Sequence, residues 1–207
     1  MKNVTVIDHP LVQSRLSRLR DASTPHGEFR RLLRELSVPL VYEAARDLPT
    51  RSRRVKTPLA ATGGVTLARE ILLVPILRAA LGMLSGLDEL LPDARVGYIG
   101  LARNEKTLEP EWYLDKMPRR LARYEVFLLD PMLATGGSAL AAGEMLERRG
   151  ARTIRFVHVL AAPEGLRIVR KRFPQSQIYT GAIDSHLNSN GYIVPGLGDA
   201  GDRCFGC

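Results

Sequence analysis

The sequence predicts an α/β fold with a central, mostly parallel sheet flanked by helices, plus a small β-arm. Two patterns carry that expectation. From about residue 70 to 183, apolar runs of strand length alternate with helix-length segments, and the runs are apolar at nearly every position. Strands buried on both faces read this way, and parallel sheets with helices on both sides require them. The second pattern is "VFLLDPMLATGGSAL" (126–140), where an apolar run meets an acid, a glycine-rich turn and an alanine-rich helix. In open parallel sheets, ligands bind beyond the carboxyl ends of the strands. What each strand end carries is therefore the functional question.

The elements follow in order. Residues 10 to 48 read as helical, with Leu11, Val12, Leu16 and Leu19 near a helical period. Phe29, Leu32, Leu33, Leu36, Leu40 and Val41 resume it after a break at "STPHG". Residues 53 to 70 read as two short strands turning at Gly63-Gly64, a β-arm of the kind that serves subunit contact. "EILLVPIL" is a buried strand, "AALGMLSGLDELL" a helix and "ARVGYIGL" the next strand. "YEVFLLD" is followed by a helix from Gly137 to Arg149. "RTIRFVHVLA" is a strand, "PEGLRIVRKRF" a helix with Pro163 in its first turn, and "SQIYTGAI" the last strand. Residues 104–117, "NEKTLEPEWYLDKM", are polar without a clear period and read as a lid that excludes water.

Totals narrow the classes. The chain has 207 residues and 45% apolar content, enough for a packed core and one domain over residues 1–207. Its apolar runs fall short of the roughly 18 residues of a membrane span. "MKNVTVIDHP" lacks an apolar leader, so a cytoplasmic setting is expected. The net charge of +8 favours anionic partners. "RSRRVK" (51–56) is the densest basic run, but it lacks interleaved aromatics, which argues against nucleic acid. Cys204 and Cys207 form a lone CxxC at the tail. Zinc needs about four ligands, so these read as exposed thiols rather than a metal site. His158 reads as a strand residue, and His9, His26 and His186 as surface or structural.

Arg78 and Arg103 lie just past two strand ends, Asp130 ends a third, and "LNSNGYIVPGLGDAGD" follows the last. In the loop after Asp130, backbone N–H groups at a helix start form an anion cradle. Gly136 and Gly137 allow close approach, and Thr135 and Ser138 add hydroxyl donors. An ionised Asp130 only accepts hydrogen bonds, which suits sugar hydroxyls. A ribose 5-phosphate fits that pairing. No GxxxxGK[ST] occurs. The GxGxxG at Gly196–Gly201 is followed by only six residues, too few for a dinucleotide unit.

"DPMLATGGS" resembles the phosphoribosyl-diphosphate motif of type I phosphoribosyltransferases. "GYIVPGLGDAGDRCFG", "RNEKTLEP", "AAPEG" and the early "HPLV" are similar to the uracil phosphoribosyltransferase family, in the expected order. The resemblance implies transfer of a ribosyl group from 5-phosphoribosyl 1-diphosphate to uracil, giving UMP in pyrimidine salvage. By the same likeness, Arg78 and Arg103 contact the diphosphate. Asp130, Pro131, Met132, Leu133, Ala134, Thr135, Gly136, Gly137 and Ser138 hold the ribose and its phosphate. Ile193, Gly198, Asp199 and Ala200 hold uracil, within a base-binding hood over about 183–207. Asp199 also reaches the donor with Mg2+. Family members form dimers or larger assemblies and some respond to GTP, so a homo-oligomer and a GTP effector are expectations of the likeness. A low-turnover regulatory relative binding phosphoribosyl ligands or RNA is the alternative. The chain departs from its relatives in two places. Pro131 leaves one carboxylate where many type I relatives have two. Ala80 stands where glycine is usual, which strains the turn if that position needs a positive φ.

Overall fold

The computed structural model describes residues 3–103 and 110–206. The chain opens with β1 (Val4–Val6), α1 (Pro10–Arg20) and α2 (His26–Ala44), then forms β2 (Thr50–Lys56) and β3 (Ala61–Leu67). Next come β4 (Glu70–Leu77), α3 (Leu81–Leu84), β5 (Arg95–Val96), β6 (Tyr98–Arg103) and β7 (Pro110–Lys116). Then follow β8 (Tyr124–Leu129), β9 (Met132–Leu133), α4 (Gly137–Arg148), β10 (Ile154–Ala161), α5 (Pro163–Arg172) and β11 (Gln177–Ile183). A short hairpin of β12 (His186–Leu187) and β13 (Ile193–Val194) precedes α6 (Ala200–Phe205).

The main sheet runs β1-β11-β10-β8-β4-β6-β7, with β5 beside β4 and β9 beside β10. Its pairs are parallel except β6–β7. Alternation along the buried strands splits the core in two. Ile71, Leu73, Phe127, Leu129, Val157 and Val159 face α1, α2, α3 and α6. Leu72, Val74, Val126, Leu128 and Phe156 face α4 and α5. Uniformly apolar strands are thus the direct consequence of helices on both sides.

Several boundaries differ from the sequence reading. The arm spans Thr50–Leu67, and its turn is at 57–60 rather than at Gly63-Gly64, which lie inside β3. Thr57 decides this: its N–H donates to the Ala60 carbonyl, and its Oγ1 accepts from the N–H groups of Leu59 and Ala60. The expected helix after β4 shrinks to Leu81–Leu84. Gly86 there sits so close to α2 that an added Cβ would lie 2.5 Å from the Arg34 carbonyl. Of the expected lid, residues 110–116 are instead an edge strand, with Trp112 paired to Leu101. Aromatic and alternating side chains favour that state. The remainder, 104–109, lies outside the described residues. Cys204 is not exposed but fully buried in the core, because α6 packs its inner face on α2 and α3. Cys207 lies outside the described residues. The short edge strand β1 and the helix α6 carried too little pattern to be read. No helix among the described residues is long and apolar enough to cross a membrane.

Candidate active site

The carboxyl ends of β4, β6, β8 and β10 converge on one edge of the sheet. At the end of β4, Leu77, Arg78 and Ala79 line a cleft of about 960 Å³. The Leu77–Arg78 peptide is cis. Arg78 is largely exposed, with its guanidinium 4.0 Å from Asp202. Ala80 adopts φ −73°, ψ −5° at the start of α3. A methyl group is unstrained there, so this departure from the family pattern costs nothing in the backbone. Arg103 ends β6, its backbone paired with Pro110.

Asp130 follows β8 and is anchored from β10. Its N–H donates to the Val157 carbonyl, and its carbonyl accepts from His158 Nδ1 at 2.7 Å. A carbonyl can only accept, so His158 carries its proton on Nδ1. His158 is fully buried, and burial pushes its pKa down to about 4, so the ring is neutral. The Asp130 carboxyl accepts from the Met132 N–H at 3.3 Å. It keeps some surface towards the cleft but is otherwise enclosed by protein. That desolvation pushes its pKa up to about 7, against the opposing Met132 hydrogen bond.

The loop from Met132 to Ala139, with Asp130 and Gly191, encloses a cavity of about 150 Å³. Gly136 takes φ +85°, which only glycine adopts freely, and it caps α4. A Cβ there would lie 3.2 Å from the Gly165 carbonyl of α5. Gly137 has no such neighbour, its nearest being Thr135 Oγ1 at 3.7 Å. The first turn of α4 lines this cavity with Gly137, Ser138 and Ala139, and the Gly137 N–H donates to Thr135 Oγ1 at 3.4 Å. A helix N-terminus of this kind suits an anion. Pro131 is the one residue of the 130–138 run that does not line the cavity. It is buried, and its carbonyl accepts from the N–H groups of Val159 and Leu160.

The β12–β13 hairpin overhangs both cavities. Asn188 Oδ1 accepts from the N–H groups of Asn190 and Tyr192, turning the chain at Gly191. Ile193, Gly198, Asp199 and Ala200 all line the larger cleft with Arg78. The two cavities share Met132, Ala134 and Gly191. The cradle holding Ser138 and the loop holding Gly198 are therefore parts of one continuous site. Asp199 caps α6, accepting from the Asp202 N–H at 2.9 Å. The sequence reading had not singled out Asn190, Gly191, Leu77 or Leu101, although "NSNG" is a strong turn signal. Tyr113, first read as part of a lid, lines the cleft from strand β7.

No cluster of three or more His, Cys, Asp or Glu side chains suited to a metal occurs among the described residues. One enclosed carboxylate at Asp130 and oxygen donors alone suit Mg2+ only if most of its shell is brought by a bound diphosphate and water.

The fold can now be placed in its class. A hypoxanthine-guanine phosphoribosyltransferase from Bacillus anthracis superposes with a TM-score of 0.52 at 15% identity, over 74% of this chain and 78% of that one. At that identity the likeness is one of fold, the type I phosphoribosyltransferase fold. Within this class the chain belongs to the uracil phosphoribosyltransferase family, whose sequence profile matches residues 6–207. The uracil phosphoribosyltransferase of Dictyoglomus turgidum is 51% identical over 204 residues, covering 98% of this chain and 99% of its own. That of Streptococcus pyogenes is 50% identical over 207 residues, covering 100% and 99%. The solved AQ2163 protein from Aquifex aeolicus superposes with a TM-score of 0.92 at 38% identity, over 98% of this chain and 97% of that one.

Proposed function

We infer that the chain is a uracil phosphoribosyltransferase, converting uracil and 5-phosphoribosyl 1-diphosphate to UMP and diphosphate. The observation that carries the reading is the meeting of an anion cradle and a main-chain-lined loop in one cleft at Met132, Ala134 and Gly191. The cradle at the α4 N-terminus suits the 5-phosphate, and Asp130 beside it suits the ribose diol. Uracil presents alternating acceptor and donor atoms, which peptide groups at Ile193 and Gly198–Ala200 can match. A base with the wrong pattern leaves buried groups unpaired.

In the reaction the C1–diphosphate bond breaks, the C1–N1 bond to uracil forms, and the N1 proton leaves. Charge grows on the departing diphosphate, where Arg78 and Arg103 act as paired donors. Mg2+ brought by the donor's diphosphate, beside Asp130 and Asp199, would neutralise part of that charge. Each well-placed donor of this kind is worth roughly 10²–10³ in rate. Asp130 accepts from the ribose hydroxyls and orients the sugar, and the overhanging hairpin keeps water from the reacting carbon.

The arm supports a homo-oligomer. Its two strands are exposed at nearly every residue, and Leu59 at the tip is 97% exposed. Light scattering of the wild type and of Leu59→Glu tests this contact. The function itself is tested by supplying purified protein with the ribosyl donor, Mg2+ and, in turn, uracil, cytosine, hypoxanthine and guanine. UMP alone is expected, and a purine nucleotide or no product would overturn the reading. Titrating GTP into the same assay tests effector control.

A further inference from the structure

The loop that lines the base side of the cleft is held from behind by an ion pair that lines neither cavity. Arg20, the last residue of α1, donates from both Nη atoms to Asp184, at 2.7 Å from Nη1 to Oδ2 and 2.6 Å from Nη2 to Oδ1. The same Nη1 donates to the Gly196 carbonyl at 2.8 Å. Asp184 Oδ2 in turn accepts the Gly196 N–H at 2.8 Å. The pair thus fixes both peptide planes that flank Gly196. It is well shielded, with the Asp184 side chain 5% exposed and that of Arg20 24%.

Gly196 is the hinge between the two base-side segments. It takes φ +62°, and an added Cβ would lie 2.0 Å from the Ile193 carbonyl oxygen. The turn is therefore folded directly onto Ile193, two residues before Gly198. Its neighbours are held in the same direction. Ser185 donates through N–H and Oγ to the Val194 carbonyl, and Arg203 Nη1 donates to the Leu197 carbonyl at 2.8 Å. Three carbonyls of the segment, at Val194, Gly196 and Leu197, are engaged by the protein behind the cleft.

We propose that Arg20 and Asp184 are positioning residues for base recognition, fixing Gly196 and through it the main-chain groups at Ile193 and Gly198–Ala200. The proposal rests on the uracil reading above. A reader made of peptide groups has no side chains to tune, so its selectivity depends on how firmly the backbone is held. The guanidinium fork is needed because one Nη serves a carboxylate and a carbonyl at once. A lysine ammonium lacks that planar geometry. The cradle at α4 is built from other elements, and the Asp199 carboxyl, which would reach the donor, is held separately by the Asp202 N–H at 2.9 Å, so donor binding should depend little on the pair.

The test compares wild type, Arg20→Met, Arg20→Lys and Asp184→Asn. Uracil KM should rise about tenfold or more in each, while donor affinity by titration calorimetry stays within about twofold. The kcat/KM ratio of cytosine to uracil should rise, and Arg20→Lys should fall between wild type and Arg20→Met. Hydrogen exchange at the Gly196 amide should accelerate in Asp184→Asn whether or not turnover is measured. Unchanged uracil KM, or equal weakening of uracil and donor, overturns the positioning role. Wild type making no UMP would instead sink the functional reading, and the Gly196 exchange rates would still judge the clamp. If Asp184→Asn does not fold, Arg20→Lys, which keeps the charge, carries the same comparison.

Discussion

His158 Nδ1 lies 2.7 Å from the main-chain oxygen of Asp130, a hydrogen bond from one central strand to the tip of the next. The ring is buried and its Nε2 finds no hydrogen-bond partner among the described residues. Burial pushes the ring's pKa down to about 4. Between the ordinary histidine value and about 4 the unfolded chain takes up a proton that the folded chain refuses. Stability is therefore full above that window and lost as pH falls through it, by up to about 3 kcal/mol. His158→Asn keeps a donor for the carbonyl but cannot titrate. Thermal melts from pH 4 to 7 should show a flatter acid slope for the variant.

Asp130 has the opposite sign. Its carboxyl, pushed up to about 7, stays protonated in the fold where the unfolded chain has already released its proton. The stability of the neutral form is present at low pH and lost as pH rises towards 7. Asp130→Asn should therefore melt higher than wild type at pH 8, by roughly 2–4 kcal/mol, with the difference vanishing near pH 4.

In the proposed reaction the same carboxyl must be ionised to accept the ribose diol. The kcat/KM for the ribosyl donor should rise with pH through an apparent pKa near 7. Asp130→Asn should lose that limb and about 10²-fold in rate. Full turnover in the variant would refute the diol role.

Gly165 gives a steric test of the proposed phosphate cradle. A Cβ there would lie 2.4 Å from the Ala134 carbonyl and 2.9 Å from that of Leu133. Gly165→Ala should push the cradle loop away from α5, at a cost of about 1–3 kcal/mol. Donor KM should rise about tenfold or more, with a smaller effect on uracil KM. Equal KM values for wild type and variant would show that the loop tolerates the shift.

The far end of the sheet offers a control. Arg155 donates to the Ala44 carbonyl at 3.0 Å and lies 3.7 Å from Glu125, whose side chain is 4% exposed. Glu125 also meets Arg69 at 3.3 Å and the Thr153 hydroxyl at 3.0 Å. Arg155→Leu strips the buried carboxylate of one cation and should destabilise by about 3–5 kcal/mol in urea unfolding. The kinetic constants of the folded fraction should be unchanged, because the network sits at the amino ends of the strands.

Much of this was legible in the residues. Strands such as Glu70–Leu77 and Tyr124–Leu129 read correctly because burial on both faces leaves an unmistakable apolar run. The strand tip, turn and helix start over residues 130–138 were legible because they lie within nine consecutive residues. The short helix after β4 was over-read, since Gly86 is there to meet α2, a contact that no local pattern records. Cys204 was misjudged for the same reason.

The sequence by itself determined the sheet, its helix-covered faces, the strand–turn–helix junction after Asp130 and the family, because each is written in contiguous residues. Only the tertiary structure decided that Arg20 would reach Asp184 and Gly196, residues 164 and 176 positions away in the chain. It also decided that Asp130 would be enclosed enough to hold its proton to about 7. Periodicity reports which face of an element is buried. Hydrogen bonds between distant segments and the desolvation of a single carboxyl depend on what packs against that face, and that is settled only when the chain closes on itself.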